Sequence, residues 1–248
     1  MILLVDIGNT RLKWGLDEQG EVTSGTAIEH KKPEFSHTLE QQWHALSAPV
    51  TLAISSVSAK PIEHQVIAIA QRLWPDIKVV IAQTSAQAFS LSNAYTEPEK
   101  LGIDRWLNLI ALQHYYPGNS AVVDCGTAIT IDCINHQGQH LGGLISPGIQ
   151  LMKQALYQNT AALTLNAEHY SAALSRTTES AIYSGTLYAA AGLIEKTMKE
   201  LCHSQIGVLT GGDAHLLAAY LKVDCIIDVD FVLKGLSLYC QQTEKSGR

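Results

Sequence analysis

No C-x-x-C pair, H-E-x-x-H, G-x-x-x-x-G-K-[ST] or G-x-G-x-x-G occurs anywhere in the 248 residues. The sequence therefore carries no signature of a zinc cluster, a zincin helix, a P-loop or a dinucleotide-binding turn. Charged residues make up only 16%, the formal net charge is -6, and the longest basic run is the pair Lys31-Lys32. A nucleic-acid binder presents a basic face, so no nucleic-acid partner is expected. Five cysteines (Cys125, Cys133, Cys202, Cys225 and Cys240) are scattered and odd in number, which argues against a disulfide framework and for a reducing compartment. The apolar start "MILLV" stops at Asp6, too short for the core of a signal peptide. No segment approaches the ~18 apolar residues that cross a bilayer. A soluble, cytoplasmic protein without a membrane partner is expected.

What the sequence does contain is a repeat. "VDIGNTRLKWGLDEQGE" begins at Val5 and "VDCGTAITIDCINHQGQ" at Val123, an offset of 118 (123 minus 5). Aligned without a gap, Asp6 falls on Asp124, Gly8 on Gly126, Gln19 on Gln137 and Gly20 on Gly138. Each copy reads as a buried strand, a D-x-G turn, a second strand and a Gln-Gly hairpin turn. Leu12, Trp14 and Leu16 alternate in the first copy, and Ile129, Ile131 and Cys133 in the second, as strands with one buried face require.

Between and after the copies, strands and helices alternate. "VTLAISSV" and "IKVVIA" read as strands, and "PIEHQVIAIAQRLWP" as a helix stopped by Pro75. "DRWLNLIALQHYY" is an amphipathic helix with Trp106, Leu107, Ile110 and Ala111 on one side. An Ala-rich helix over about 180–202, the strand-turn "IGVLTGGDA" and a last helix from about Phe231 complete the pattern. The order predicts an α/β protein of two related lobes. They divide at "YYPGNS" (Tyr115–Ser120) into residues 1–117 and 118–248, with the last helix free to pack back on the first lobe.

Two D-x-G turns at equivalent places suggest phosphate chemistry. Glycine lets backbone N–H groups approach an anion closely, and an aspartate at a strand end can hold a hydrated Mg²⁺. Asn9, Thr10 and Thr127 add short polar side chains, and Lys13 is either a solvated strand lysine or a phosphate contact. For a single D-x-G, a plain turn cap is the commoner role; the duplication favours phosphate. In "LGIDRWL" (Leu101–Leu107), Asp104 is either a helix N-cap or a carboxylate that takes a proton. Arg105 is either a surface residue or the partner of an anionic substrate. "GGLISPG" (Gly142–Gly148) is a strand exit stopped by proline, and Gly211 and Gly212 in "LTGGDA" either admit a flat ring or form an ordinary turn. His136 and His140, spanning a hairpin, read as surface histidines.

In order and spacing, "DIGNT", "GIDRW", "DCGTAITID" and "GGLISPG" resemble the type III pantothenate kinases, members of the acetate and sugar kinase, heat-shock chaperone and actin superfamily. The resemblance spans essentially the whole chain. It implies two duplicated ribonuclease-H-like (actin-like ATPase) lobes with a nucleotide cleft between them. It also implies ATP-dependent phosphorylation of pantothenate to 4′-phosphopantothenate, the first step of coenzyme A synthesis. By that likeness Asp6, Ile7, Gly8, Asn9, Thr10, Arg11, Leu12 and Lys13 hold ATP, as does Thr127, with Mg²⁺ reached from Asp6 through water. Asp104 is the proton acceptor. Gly102, Ile103, Asp104 and Arg105 bind pantothenate together with Tyr95 and Thr178, although Thr177 stands where the family usually has asparagine before that threonine. Asp124 is the ligand of a monovalent cation, K⁺ or NH₄⁺, and a homodimer is implied. Another small-molecule kinase or phosphatase of the superfamily, or a non-enzymatic regulatory relative, is the alternative.

Overall fold

Hydrophobic alternation places a twisted sheet at the heart of each half of the chain. The structure, a computed structural model, describes residues 1–158, 170 and 172–246. It divides into two compact units, Met1–His114 with Asp230–Arg248, and Tyr115–Val229.

The first unit opens with β1 (Ile2–Ile7), β2 (Arg11–Glu18) and β3 (Glu21–Ser24), followed by the short β4 (Ile28–Glu29), α1 (Phe35–His44), β5 (Thr51–Ser56), α2 (Lys60–Leu73) and β6 (Lys78–Ile81). The sheet order is β3-β2-β1-β5-β6, with β4 paired to the outer side of β2. The first three strands are antiparallel, while β5 and β6 run parallel to β1 and to each other. On one face Leu3, Val5, Ile7, Leu52 and Ile54 meet Leu39 and Trp43 of α1 and Val66 and Ile69 of α2 in one buried cluster. The small hairpin β7 (Gln87–Ala88) and β8 (Leu91–Ser92) leads to α3 (Ile103–Tyr115).

The second unit repeats this plan. Its strands are β9 (Ser120–Cys125), β10 (Ala128–Ile134) and β11 (His140–Pro147), then, after α4 (Ile149–Gln158) and α5 (Thr178–Lys196), β12 (Ile206–Thr210). The short α6 (Ala214–Ala218) and β13 (Ile226–Ile227) follow. The order β11-β10-β9-β12-β13, with β12 parallel to β9 and β13 parallel to β12, is that of the first sheet strand for strand. α5 ends in a π-helical turn, Thr197–Leu201.

The ungapped alignment of the two copies holds at the aspartates but slips beyond them. In the first unit Asp6 pairs with Lys13, and Gly8 N–H bonds to the Arg11 carbonyl. In the second, Asp124 pairs with Thr130, and Gly126 N–H bonds to the Ala128 carbonyl, so the turn is one residue shorter. The hairpin restores the count. Glu18 pairs with Glu21 across Gln19–Gly20, whereas Asn135 and Gln139 close over one residue more. Side chains that are six or seven residues past each aspartate therefore occupy equivalent places with different sequence spacing.

The last helix, α7 (Phe231–Ser246), is assigned to the first unit and lies across β1 and β5. Gly235 is what permits its approach to α3: a Cβ there would sit 2.1 Å from the Leu107 carbonyl oxygen. Ser237 donates its hydroxyl to the buried Asp17 carboxylate at 2.5 Å.

Two sequence expectations need correction in the second unit. His140 is not a surface histidine; it is 4% exposed and its Nε2 lies 2.9 Å from Asp132 Oδ1, both side chains being enclosed. The β10–β11 hairpin folds it inward, while His136 at the tip stays exposed. Cys133 and Cys202 form a disulfide, their Cα atoms 5.8 Å apart although 69 residues separate them; the strand and the π-turn meet only in three dimensions. Cys125, Cys225 and Cys240 take part in no disulfide. Denatured without reductant, the protein should titrate three thiols with a chromogenic disulfide reagent, and five after reduction. Five thiols at the outset would mean that Cys133 and Cys202 stay reduced.

Candidate active site

In the first unit the end of β1 presents Asp6. Ser55, fully buried on the parallel neighbour β5, donates its hydroxyl to Asp6 Oδ1 at 2.9 Å. Lys13 on β2 is the cross-strand partner of Asp6, and paired residues share a sheet face. Ile7 and Leu12 close the strand ends in the core. Gly8, Asn9 and Thr10 form the turn between them, with Asn9 exposed and Gly8 and Thr10 half-buried. Arg11 is exposed and lies 3.7 Å from Glu29.

The same unit carries the start of α3. Gly102 supplies the carbonyl that accepts the Trp106 N–H at 3.0 Å, so the helix begins at Ile103 and Asp104 falls within its first turn. There the N-terminal dipole favours a carboxylate. Asp104 is therefore not the N-cap; its Oδ1 accepts the Arg105 N–H at 2.8 Å. A Cβ at Gly102 would stand 2.6 Å from that oxygen, so glycine clears the space the carboxylate uses. Ile103 is buried. Arg105 is no surface residue: it is 4% exposed, and its Nη1 donates to the Tyr95 hydroxyl at 2.7 Å. Tyr95 is held in turn by its own N–H, which donates to Asn93 Oδ1 at 2.9 Å. Helix start, buried guanidinium and tyrosine thus form one group, with the means to orient an anionic, hydroxyl-bearing molecule.

In the second unit Asp124 ends β9 between Thr130 and Thr210. A hydroxyl residue on the parallel neighbour strand thus stands beside the aspartate in both copies, Ser55 in one and Thr210 in the other. Thr127 is exposed at the turn, and its carbonyl accepts the Gly148 N–H at 2.9 Å. Gly148 belongs to "GGLISPG" and cannot be larger, since a Cβ would lie 2.2 Å from the Gly126 carbonyl oxygen. Asp213 N–H bonds to the Cys125 carbonyl at 2.9 Å, tying the "TGGD" turn to the same place. Burial first, then the Asp124 and Asp213 carboxylates, push the Cys125 thiol well above its usual range, so it is no nucleophile. Lys153 of α4 is buried with its ammonium over the Tyr183 ring at 4.4 Å; burial lowers its pKa and the Asp213 carboxylate partly restores it. Thr177 caps α5 by accepting the Ser180 N–H, doing the work an asparagine would do there, and Thr178 is exposed at the first helical position.

Among the described residues no three His, Cys, Asp or Glu side chains gather as a metal cluster. Mg²⁺ that keeps several waters and rests on substrate phosphates needs only one or two carboxylates, and Asp6, anchored on Ser55, fits that role. Asp124, flanked by two threonines, offers the oxygen-rich surroundings a hard monovalent cation takes. The sequence reading missed Ser55 and His30. Ser55 was legible as the polar end of an apolar parallel strand, the end at which α/β sheets bind ligands; His30, just past the two-residue strand Ile28–Glu29, gave no signal.

The type III pantothenate kinase family model matches residues 2–200. This chain belongs to that family. A type III pantothenate kinase of Nitrosococcus oceani is 35% identical over 259 residues, covering 100% of this chain and 97% of that protein. One from Laribacter hongkongensis is 34% identical and covers 96% and 97%. Among solved structures, a conserved putative Baf family transcriptional activator from Campylobacter jejuni matches with a TM-score of 0.63 at 23% identity, over 98% of this chain and 99% of that one. At that identity the likeness speaks to the fold. The type III pantothenate kinase fold here is mixed α/β, two ribonuclease-H-like sheets of one topology.

Proposed function

We propose that this chain phosphorylates the primary hydroxyl of pantothenate with ATP and Mg²⁺, giving 4′-phosphopantothenate for coenzyme A synthesis. The observation that carries the reading is the group at the head of α3: Asp104 beside a buried Arg105 bonded to Tyr95, in the same unit as the Asp6 turn. Asp104 accepts the hydroxyl proton as the oxygen attacks the γ-phosphorus. The new P–O bond forms as the bond to the β-phosphate oxygen breaks, and ADP leaves with that electron pair. Arg105 and Tyr95 orient pantothenate through its carboxylate, with Gly102, Ile103 and Thr178 as further contacts. Residues Asp6 to Lys13 hold the ATP phosphates, and Thr127 is assigned to the nucleotide as well. Mg²⁺, when bound, neutralises charge on the phosphates. Phosphoryl transfer is largely positioning and electrostatics, which amide-rich turns supply.

K⁺ or NH₄⁺ at Asp124 belongs to the same reading, as does a cytoplasmic location, a compartment in which a disulfide such as Cys133–Cys202 is uncommon. Among the described residues no helix is long and apolar enough to cross a membrane. A homodimer through the second unit is supported by exposed apolar side chains on the sheet-edge strand β11 (Leu141, Leu144, Ile145) and on α4 and α5 (Leu151, Leu156, Tyr188).

The test is turnover of purified protein with ATP, Mg²⁺ and pantothenate beside a panel of other hydroxy acids, with and without KCl. Pantothenate should be the preferred acceptor, with turnover raised by K⁺. No phosphorylated pantothenate under either salt condition would sink the proposal.

A further inference from the structure

The β1–β2 turn is braced by a residue that lies outside it. Strand β4 pairs with β2 through Arg11–Glu29 and Leu12–Ile28, which brings His30 alongside the turn. His30 then bonds it twice: its backbone N–H donates to the Thr10 carbonyl at 3.3 Å, and its ring Nε2 lies 2.8 Å from the Gly8 carbonyl. A carbonyl only accepts, so Nε2 carries the proton. The ring is 8% exposed and meets the buried Phe35 edge-on, centroids 6.2 Å apart, which fixes its direction.

Peptide planarity converts this brace into a statement about phosphate. In a trans peptide the C=O and N–H point in opposite directions. The Gly8 carbonyl shares its peptide with the Asn9 N–H, and the Thr10 carbonyl shares its peptide with the Arg11 N–H. With both carbonyls bonded to His30, the Asn9 and Arg11 N–H groups each point away from the His30 atom that their own carbonyl meets. In a two-residue hairpin loop the Gly8 carbonyl is the acceptor that closes the turn; here it faces the imidazole. Backbone N–H groups presented by one turn can receive an anion together.

We infer that His30 is a positioning residue for ATP: it orients the Gly8–Asn9 and Thr10–Arg11 peptides so that their N–H groups receive the nucleotide's phosphate oxygens. This rests on the reading of the Asp6–Lys13 segment as the ATP phosphate site. His30 itself touches no substrate. The ring bond is the separable part, because the backbone bond survives any substitution but proline.

The experiment compares His30→Leu, which removes the ring donor, with His30→Gln, which keeps an N–H at similar reach. Binding of the Mg²⁺ complex of the imido analogue of ATP is measured by calorimetry, with kcat and both KM values from turnover and thermal melting as a fold control. His30→Leu should raise the analogue's Kd and the KM for ATP about tenfold, the scale of one lost positioned hydrogen bond. The KM for pantothenate should stay within about twofold and His30→Gln within about threefold of wild type. If His30→Leu does not fold, His30→Asn, too short to reach Gly8, takes its place. Unchanged analogue affinity in the donor-less variant would overturn the inference. So would equal losses in the glutamine and leucine variants, or an equal rise in the pantothenate KM, because each is what a merely structural histidine gives. A wild-type protein that binds the analogue in a His30-dependent way yet never phosphorylates pantothenate would refute the proposed acceptor and support this inference.

Discussion

Replacing Asp104 with asparagine should lower kcat by about 10²–10⁴-fold, the usual contribution of a general base, while leaving the affinity for ATP near that of wild type. Asparagine keeps the shape of the side chain, and its carbonyl can still accept the Arg105 N–H that Asp104 Oδ1 accepts at 2.8 Å. The first turn of α3 therefore keeps its local geometry, and the melting temperature should hardly move. What the amide lacks is the ability to take a proton from the attacking hydroxyl. The loss belongs in kcat and not in the KM for ATP, because the phosphates are assigned to the β1–β2 turn. Measured kcat, both KM values and ATP-analogue binding would decide the matter; a variant that turns over like wild type would remove Asp104 from the chemistry.

The second large effect is expected at Gly211. Its φ of +88° lies in the left-handed region, and a Cβ there would sit 2.4 Å from Asp124 Oδ1 and 2.7 Å from the Cys125 backbone. The carboxylate end can swing away, but the Cys125 main chain is part of β9 and cannot. Gly211→Ala should therefore cost the ~1–2 kcal/mol of an alanine forced left-handed and more for the displaced strand end. A total of ~3 kcal/mol corresponds to a fall in melting temperature of roughly 6–12 °C. Gly212 provides the control, since nothing lies within 4 Å of a Cβ built there; Gly212→Ala should melt close to wild type. Equal melting of both variants would mean that the turn does not press on Asp124.

Periodicity and turn residues made the sheets legible. Alternation in Leu12/Trp14/Leu16 and Ile129/Ile131/Cys133 marks real strands with one face in the core. The apolar stripe of 103–115 is helix α3, and its boundary lies within one residue of the sequence reading because Gly102 and the acidic first turn are local signals. Features that depend on meeting across the fold were not legible. α1 carries Phe35, Leu39 and Trp43 at helical spacing, but its polar remainder hid the pattern. The burial of Arg105 follows from Tyr95, ten residues away on an irregular segment. His140 looked solvent-facing because a two-residue hairpin period says nothing about which face a longer loop turns inward; Asp132 supplies the reason it is buried. The one-residue exchange between turn and hairpin also escaped the ungapped alignment, since the two changes cancel in the offset of 118.

The assignment of α7 to the first unit bears on how the chain matures on the ribosome. The sheet face formed by β1 and β5 is covered by a helix that begins at Phe231, after the whole of the second unit has been translated. Until then that face stays wet, and Asp17 must find water in place of the Ser237 hydroxyl. Domains generally fold as units in order of synthesis, yet here the unit started first is finished last. The nascent protein thus passes through a stage with a closed second unit and an open first one, and a chaperone that shields apolar strands would meet it there.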